Sequence, residues 1–303
     1  MISLKSARGR KALSSLVGHR LLLTFDFDGT LAAIAPHPDA VSFDPNIEHL
    51  LTRLDEYASI AIVTGRSRED LLRFFHSPPR TIIGNHGAEG TSEHAALQHA
   101  RATCTAWRLS LDSLLETESP DGRAWLEDKT YSLTIHCRVP ILLRRIQSLL
   151  EQPLPLPQIR VVSGKASINL LPAGMPTKAD AVRSLLRRLR CDRVLYVGDD
   201  VTDEDVFSIG DTRIIGVHVG KNSTSKADFF LSSQKEVPWL LKKLFTLLVS
   251  RKSSLTKRLL RGERQQISLP SSRGSKATRT RASSKKKSRQ SGIRRTRPVG
   301  ARR

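Results

Sequence analysis

The sequence has no apolar run of the ~18 residues that a membrane-spanning helix needs, so no transmembrane segment is expected. Cysteine is scarce. Cys104, Cys137 and Cys191 are far apart and odd in number, and they form neither a CxxC pair nor a disulfide framework. Three reduced thiols in a cytoplasmic protein is the expectation. No secretory signal is expected either. Lys5, Arg8, Arg10 and Lys11 are followed by an apolar stretch broken at Ser14, Ser15, His19 and Arg20, with no small-residue cleavage site behind it. Aromatic residues stop at Phe245, and large aliphatic ones thin out after Leu260. Acidic residues nearly vanish there too. Residues 251–303 hold 19 Lys and Arg against the single acid Glu263, and so +18 of the formal net charge of +21. Such a segment cannot bury enough apolar surface to offset its ordering entropy, so residues 250–303 are expected to be a disordered basic tail. Its charge suits nonspecific contact with nucleic acid or another anionic surface.

The body of the chain carries the rest. With 303 residues and 39% of them hydrophobic, it suffices for one large domain or two modest ones. "LLLTF" (21–25) reads as a buried strand. Asp44-Pro45 opens a helix to about Tyr57, with Asp44 as its cap. "SIAIVT" (59–64) and "TIIG" (81–84) read as further strands, and Ser67 with Asp70 as a capping box between them. Strands alternating with helices predict an α/β fold with a parallel sheet. The pattern changes near Asn85. Helices over 94–117 and 139–151, a strand at 131–137 and a hairpin over 159–171 turning at Ser163-Gly164-Lys165 predict an α+β insert. The first pattern then returns. A helix opens at Pro176-Thr177 with Asp180 completing a box, "RVLYVGDD" (193–200), "RIIGVHV" (213–219) and "ADFFL" (227–231) read as strands, and a helix closes over Val237 to Leu248. The expected division is therefore an N-terminal extension (1–19), a discontinuous core (20–85 and 173–249), an inserted cap (86–172) and the tail (250–303).

Four polar groups follow predicted core strands: Asp26 and Asp28, then Thr64-Gly65-Arg66, then Lys178 at a helix start, then Asp199, Asp200 and Asp203. In an open parallel sheet such groups meet at the carboxyl edge, where ligands bind. Carboxylates gathered there repel unless a hard divalent cation with oxygen ligands offsets them, which suits Mg²⁺. One carboxylate can act as nucleophile on phosphorus and another can carry a proton. A lysine and a threonine hydroxyl can hold phosphoryl oxygens.

The order D-x-D-G-T, T-G-R, K, G-D-D-x-T-D resembles the haloacid dehalogenase (HAD) superfamily of phosphatases. Its fold, a Rossmann-like parallel sheet with an inserted cap, matches the division above. The resemblance implies Asp26 as a nucleophile forming an aspartyl-phosphate and Asp28 as general acid/base. Thr64 and Lys178 would hold the phosphate. Mg²⁺ would be bound by Asp26, the backbone carbonyl of Asp28 and Asp199, with Asp203 or Asp200 in support. "DFDGTLAAIAPHPDAV" (26–41), "GNHGAE" (84–89), "LEDKTYSLTIHCR" (126–138) and "GDDVTDEDVF" (198–207) narrow it to the trehalose-6-phosphate phosphatase family. On that resemblance the cap residues Glu127, Lys129, His136, Arg138, Lys165 and Asn169 would grip sugar hydroxyls, with His86 and Glu89 at the hinge and Gly65, Arg66 and Asp200 beside the substrate. The chain departs from the family at Asn169, where many relatives carry glutamate, and at Ala179, where glycine is usual. Another sugar phosphate, such as a glucosyl- or mannosyl-phosphoglycerate, is the alternative substrate. A nucleic-acid-binding protein acting through its basic tail is the alternative of another class.

Overall fold

A computed structural model describes residues 1–35, 37–151, 159–164 and 166–266. The elements in chain order are β1 (Ile2–Ser3), α1 (Ala7–Ser15), β2 (Leu21–Phe25), α2 (Pro45–Leu54), β3 (Ser59–Val63), α3 (Arg68–Leu72) and β4 (Thr81–Ile83). Next come α4 (His94–Glu118), β5 (Ala124–Asp128), β6 (Leu133–Cys137), α5 (Pro140–Leu150), β7 (Ile159–Ser163) and β8 (Ser167–Pro172). Last are α6 (Lys178–Arg188), β9 (Arg193–Gly198), α7 (Glu204–Phe207), β10 (Ile214–Val219), β11 (Phe229–Leu231) and α8 (Val237–Gln266).

Seven strands form one parallel sheet in the order β1-β11-β10-β9-β2-β3-β4. All five residues of β2 are buried, because helices cover both of its faces. Leu21, Leu23 and Phe25 pack with Ile47, Leu51, Leu240 and Leu244. Leu22 turns the other way with Ala61 and Tyr196, against Val182 and Leu185 of α6. Alternation along the strand thus splits one apolar run between two half-cores. The register sets up the site. Phe25 lies opposite Ile62 of β3 and Val197 of β9. The residues just beyond these strands, Asp26, Thr64 and Asp199, therefore leave the sheet at one edge.

The second sheet is antiparallel, in the order β5-β6-β8-β7. Leu133, Ile135, Cys137, Ile168 and Leu170 face α4 and α5 and pack with Trp107, Leu111 and Ile146. Their neighbours Thr134, His136, Ser167 and Asn169 face the other way and line a cavity. Period-2 alternation thus gives this sheet one apolar and one polar face.

Three expectations need correction. Residues 1–19 are not a mere extension. β1 pairs in parallel with β11 at the sheet edge, and Leu4, Leu13 and Leu16 are fully buried in the core. The last helix does not stop at Leu248 but continues to Gln266. Residues 267–303, and with them most of the expected tail, lie outside the described residues, as does Lys165. Finally, Ser67 caps α3 through the Asp70 amide, but the Asp70 carboxylate does not close the box. It pairs with Arg66 instead. The box at α6 is complete, with Thr177 and Asp180 each bonding the other's amide. No helix among the described residues is long and apolar enough to cross a membrane.

Candidate active site

At the end of β2 the chain stays tied to the sheet for one more residue, since the Asp26 amide donates to Val197 O at 2.8 Å. The Asp26 side chain turns into the edge and is 5% exposed. Its Oδ1 accepts from the Phe27 amide at 2.7 Å, and its Oδ2 lies 3.0 Å from Lys178 Nζ. The complete capping box fixes the first turn of α6, and Lys178 is its first residue. Its side chain is only 2% exposed, and its Nζ reaches Asp203 Oδ1 at 2.8 Å as well. Ala179 beside it is buried in the regular first turn of the helix.

Asp203 is fully buried and saturated. Its Oδ1 accepts from Lys178 Nζ and from Tyr196 Oη at 2.6 Å, and its Oδ2 accepts from the amides of Asp199 and Asp200, each at 2.9 Å. A carboxylate has about four lone-pair sites, and all are taken. Asp203 therefore orients Lys178 and the 199–200 turn. Asp199 is buried and accepts from Thr30 Oγ1 at 3.2 Å. One oxygen each of Asp26, Asp199 and Asp203 lie within 4.8 Å of one another.

Burial pushes the Asp26 carboxyl well above the usual range. Lys178 pulls it back, while Asp203 and Asp199 push it up further. Burial acts against the Lys178 charge as well, yet Asp203 and Asp26 more than offset it and its pKa stands above that of a free lysine. Burial also works against ionised Asp203, but Lys178 and the Tyr196 hydroxyl hold its carboxyl below the ordinary value. The edge thus has one buried cation among three carboxylates, a charge deficit that a hard divalent ion fits.

Thr64 continues β3 and is buried, with its Oγ1 accepting from the Arg66 amide at 3.2 Å. Gly65 is required by what lies over it: a Cβ there would stand 2.6 Å from the His86 ring. His86 has φ of +56°, a conformation that only over-determined surroundings maintain for such a residue. The neighbouring Asn85, at φ +47°, supplies them. Its side chain donates to Glu89 Oε2 and to Lys129 O and accepts from Ser132 Oγ at 2.6 Å. His86 faces the cavity, 7% exposed, and its ring nitrogens make no well-formed hydrogen bond, with the Asn169 side chain as the polar neighbour that acts on them. Burial, and then the charges of Lys129, Lys178 and Arg160, push its pKa well down against a smaller opposite pull from Asn169, which favours the neutral ring.

The polar face of the second sheet closes the cavity from above. Glu127 Oε2 pairs with His136 Nε2 at 2.5 Å and with Lys129 Nζ at 3.4 Å. Burial works to raise the Glu127 pKa, but His136 and Lys129 bring it down to about 2. Asn169 accepts from Thr134 Oγ1 at 3.0 Å.

Of the residues expected at the site, Asp26, Asp28, Thr64, Gly65, Arg66, His86, Glu127, Lys129, His136, Arg138, Asn169, Lys178, Asp199 and Asp200 line this one cavity. Asp203 lies beneath it as their support. Glu89 does not line it. Its Oε2 accepts from the Arg68 amide and from Asn85 Nδ2, each at 2.8 Å, so it braces the hinge turn. Arg66 lines the cavity but gives its guanidinium to Asp28, Asp70 and Pro38 O. Trp125 and His37 line the cavity too, and the sequence motifs single out neither. The Trp125 ring stacks on His136 with centroids 5.1 Å apart, and His37 stands 5.3 Å from it on the other sheet's loop. Trp125 was legible in principle, being two residues before Glu127 and so on the same face of β5.

Comparison with known proteins agrees with this geometry. The chain is 27% identical to trehalose 6-phosphate phosphatase RA3 of Zea mays over 262 residues, covering 77% of this chain and 72% of that one. It is 32% identical to a probable trehalose-phosphate phosphatase of Sinorhizobium fredii over 194 residues, covering 61% and 72%. The fold is shared with the C-terminal domain of Candida albicans trehalose-6-phosphate phosphatase, at a TM-score of 0.65 and 22% identity, covering 82% of this chain and 97% of that domain. The family pattern described as trehalose-phosphatase matches residues 24–235, from near the end of strand β2, through the whole polar-faced sheet, to beyond the Asp199–Asp203 turn. That span takes in both walls of the cavity, and the chain belongs to the trehalose-phosphatase family of HAD-fold phosphatases.

Proposed function

We propose that the protein hydrolyses trehalose 6-phosphate to trehalose and phosphate, with Mg²⁺, through an aspartyl-phosphate on Asp26. The observation that carries this is the placement of buried Asp26, Lys178 and Asp199 at one sheet edge, directly under a sheet face bearing Glu127, Lys129 and His136. We take residues 86–172 as a cap and the remainder of the described body, residues 1–19 included, as the core.

A carboxylate oxygen of Asp26 attacks phosphorus, and the bond from phosphorus to the sugar oxygen breaks. Asp28 gives its proton to that oxygen as it leaves. Water then attacks the same phosphorus, Asp28 takes a proton from it, and phosphate departs from Asp26. Lys178 and Thr64 hold the phosphoryl oxygens while charge builds on them. Asp26, the carbonyl of Asp28 and Asp199 would hold the cation, since Asp203 has no lone pair to spare. Bound there, Mg²⁺ supplies charge neutralisation among the carboxylates and the phosphoryl oxygens. In the cap, Glu127 and Lys129 present an acceptor and a donor to sugar hydroxyls, and Asn169 takes part without charge. A neutral imidazole can donate from one nitrogen and accept at the other, so His86 matches a hydroxyl rather than a phosphate.

Phosphate release across a panel of sugar phosphates tests the substrate. Trehalose 6-phosphate with Mg²⁺ is expected to give the highest kcat/KM, and chelation to stop turnover until Mg²⁺ is restored. Faster hydrolysis of glucosyl- or mannosyl-phosphoglycerate, or of a simple hexose phosphate, overturns the assignment. His86→Ala leaves a substrate hydroxyl unpaired, and roughly 1–2 kcal/mol of lost binding corresponds to a KM about tenfold higher. The KM for an aryl phosphate, which has no sugar hydroxyl, should stay as it is. Equal KM changes for both substrates would remove His86 from sugar recognition. The reading of residues 250–303 as a contact for anionic partners rests on their charge alone.

A further inference from the structure

We infer that Arg66 is a positioning residue for the proton carrier Asp28, and that it does not bind substrate. The guanidinium meets Asp28 side-on with two bonds, Nε to Oδ2 at 2.7 Å and Nη2 to Oδ1 at 2.9 Å. It is itself held from behind. Nη1 donates to the Asp70 carboxylate on α3, and Nη2 donates to Pro38 O at 3.0 Å. Its Cζ stands 4.9 Å from the Phe74 ring centroid and 5.7 Å from that of Phe27. The Arg66 side chain is 5% exposed, whereas Asp28 is 38% exposed and faces the cavity. The arrangement is therefore one-sided: a buried guanidinium, held on both flanks, presents an accessible carboxylate.

Chemistry gives this geometry a purpose. Asp28 lies beyond the end of β2, in a turn that fixes its backbone but not its side chain. A proton carrier must lie within hydrogen-bond reach of the leaving oxygen, and a misplacement of about 1 Å costs on the order of a hundredfold in rate. A guanidinium bonded side-on sets both the position and the plane of the carboxylate, which a lysine cannot do. With four of its five N–H groups spent on Asp28, Asp70 and Pro38 O, Arg66 has no pair of parallel donors left to offer a phosphate.

The inference rests on the reading of Asp28 as general acid, and leaving-group dependence separates the two. Good leaving groups need no proton, whereas a sugar alkoxide does. The experiment measures kcat/KM for a series of aryl phosphates of rising leaving-group pKa, and for the sugar phosphate, in the wild type, Asp28→Asn, Arg66→Met and Arg66→Lys. Asp28→Asn should lose about a hundredfold or more on the sugar phosphate and only a few-fold on the best aryl leaving group. Arg66→Met should reproduce that steepened dependence, with Arg66→Lys between it and wild type. If Asp28→Asn is selective while both Arg66 variants lose activity equally on all esters, or lose none, the inference falls. If Asp28→Asn itself falls uniformly, the assignment of Asp28 falls and the inference with it. Thermal melts accompany each variant, and should Arg66→Met not fold, the slope for Arg66→Lys decides between the outcomes.

Discussion

Asp26→Asn is expected to lower phosphate release by at least about 10⁴-fold, because the amide cannot form the acyl-phosphate. The loss should be one of chemistry rather than of fold. The amide oxygen can still accept from the Phe27 amide, as Oδ1 does at 2.7 Å. The substitution removes one of three carboxylates gathered within 4.8 Å, which relieves repulsion. Against that, the amide NH₂ would face Lys178 Nζ, now 3.0 Å from Oδ2. Lys178 keeps Asp203 as its partner, so these effects offset and the melting temperature should move by only a few degrees. Denaturing gels of enzyme quenched during turnover of a ³²P-labelled substrate supply the second check. Label should stay with the wild-type chain and be missing from Asp26→Asn. A variant that retains turnover within tenfold of wild type would rule out Asp26 as nucleophile.

The catalytic edge was legible in the sequence because parallel strands report their own ends. A short buried apolar run must stop where polar residues begin. Two such runs paired in register bring those polar residues together, as Phe25 opposite Ile62 and Val197 does for Asp26, Thr64 and Asp199. Lys178 was legible through the capping box of Thr177 and Asp180, which locates a helix start to the residue. What the sequence hid were partnerships between distant side chains. Asp70 stands three residues after Ser67 and so has the spacing of a local cap, yet its carboxylate turns to Arg66, one helical turn away. Arg66 looked like a substrate ligand because nothing in a sequence shows whether a guanidinium's donors are already spent. Glu89 likewise reads as a hinge carboxylate facing the substrate, and in the structure two amide groups hold it to the turn.

The ends of the chain show a second limit. β1 has two residues, too few for any periodicity, and its place follows only from the pairing of Ile2 with Phe229 and Ser3 with Phe230. A charge-rich composition after Arg251 argued for an early end to α8, but Lys and Arg are good helix formers, and a helix already anchored by Leu240, Leu241 and Leu244 can be continued by them. Composition was silent about backbone there.

The largest expected effect on stability is that of Lys178→Met. Methionine nearly preserves the shape of the stem but removes the charge. Lys178 is 2% exposed, and its ammonium is shared between Asp26 and Asp203, themselves 5% and 0% exposed. Breaking a buried ion pair by deleting one partner typically costs about 3–5 kcal/mol, since the other charge is left buried without compensation. In a body of this size that corresponds to a fall in Tm of roughly 10 °C. Catalysis should disappear with it, as the phosphoryl oxygens lose their cation. The pH dependence separates charge from packing. In the wild type Lys178 holds the Asp203 carboxyl below its ordinary value, and Asp26 stands above its own despite the lysine. A lowered carboxyl stabilises the fold above its unfolded pKa, and a raised one destabilises it there. Losing the lysine removes the first contribution and deepens the second, so both effects are largest near neutral pH. Both fade as acid protonates the carboxylates. Measured with a chelator present, the Tm gap between wild type and Lys178→Met should therefore be widest near pH 7 and narrow steadily towards pH ~4, the ordinary carboxylate range. A gap that is small at pH 7 would show that the two carboxylates find other compensation. A large gap that does not change with pH would place the loss in packing of the lysine stem rather than in its charge.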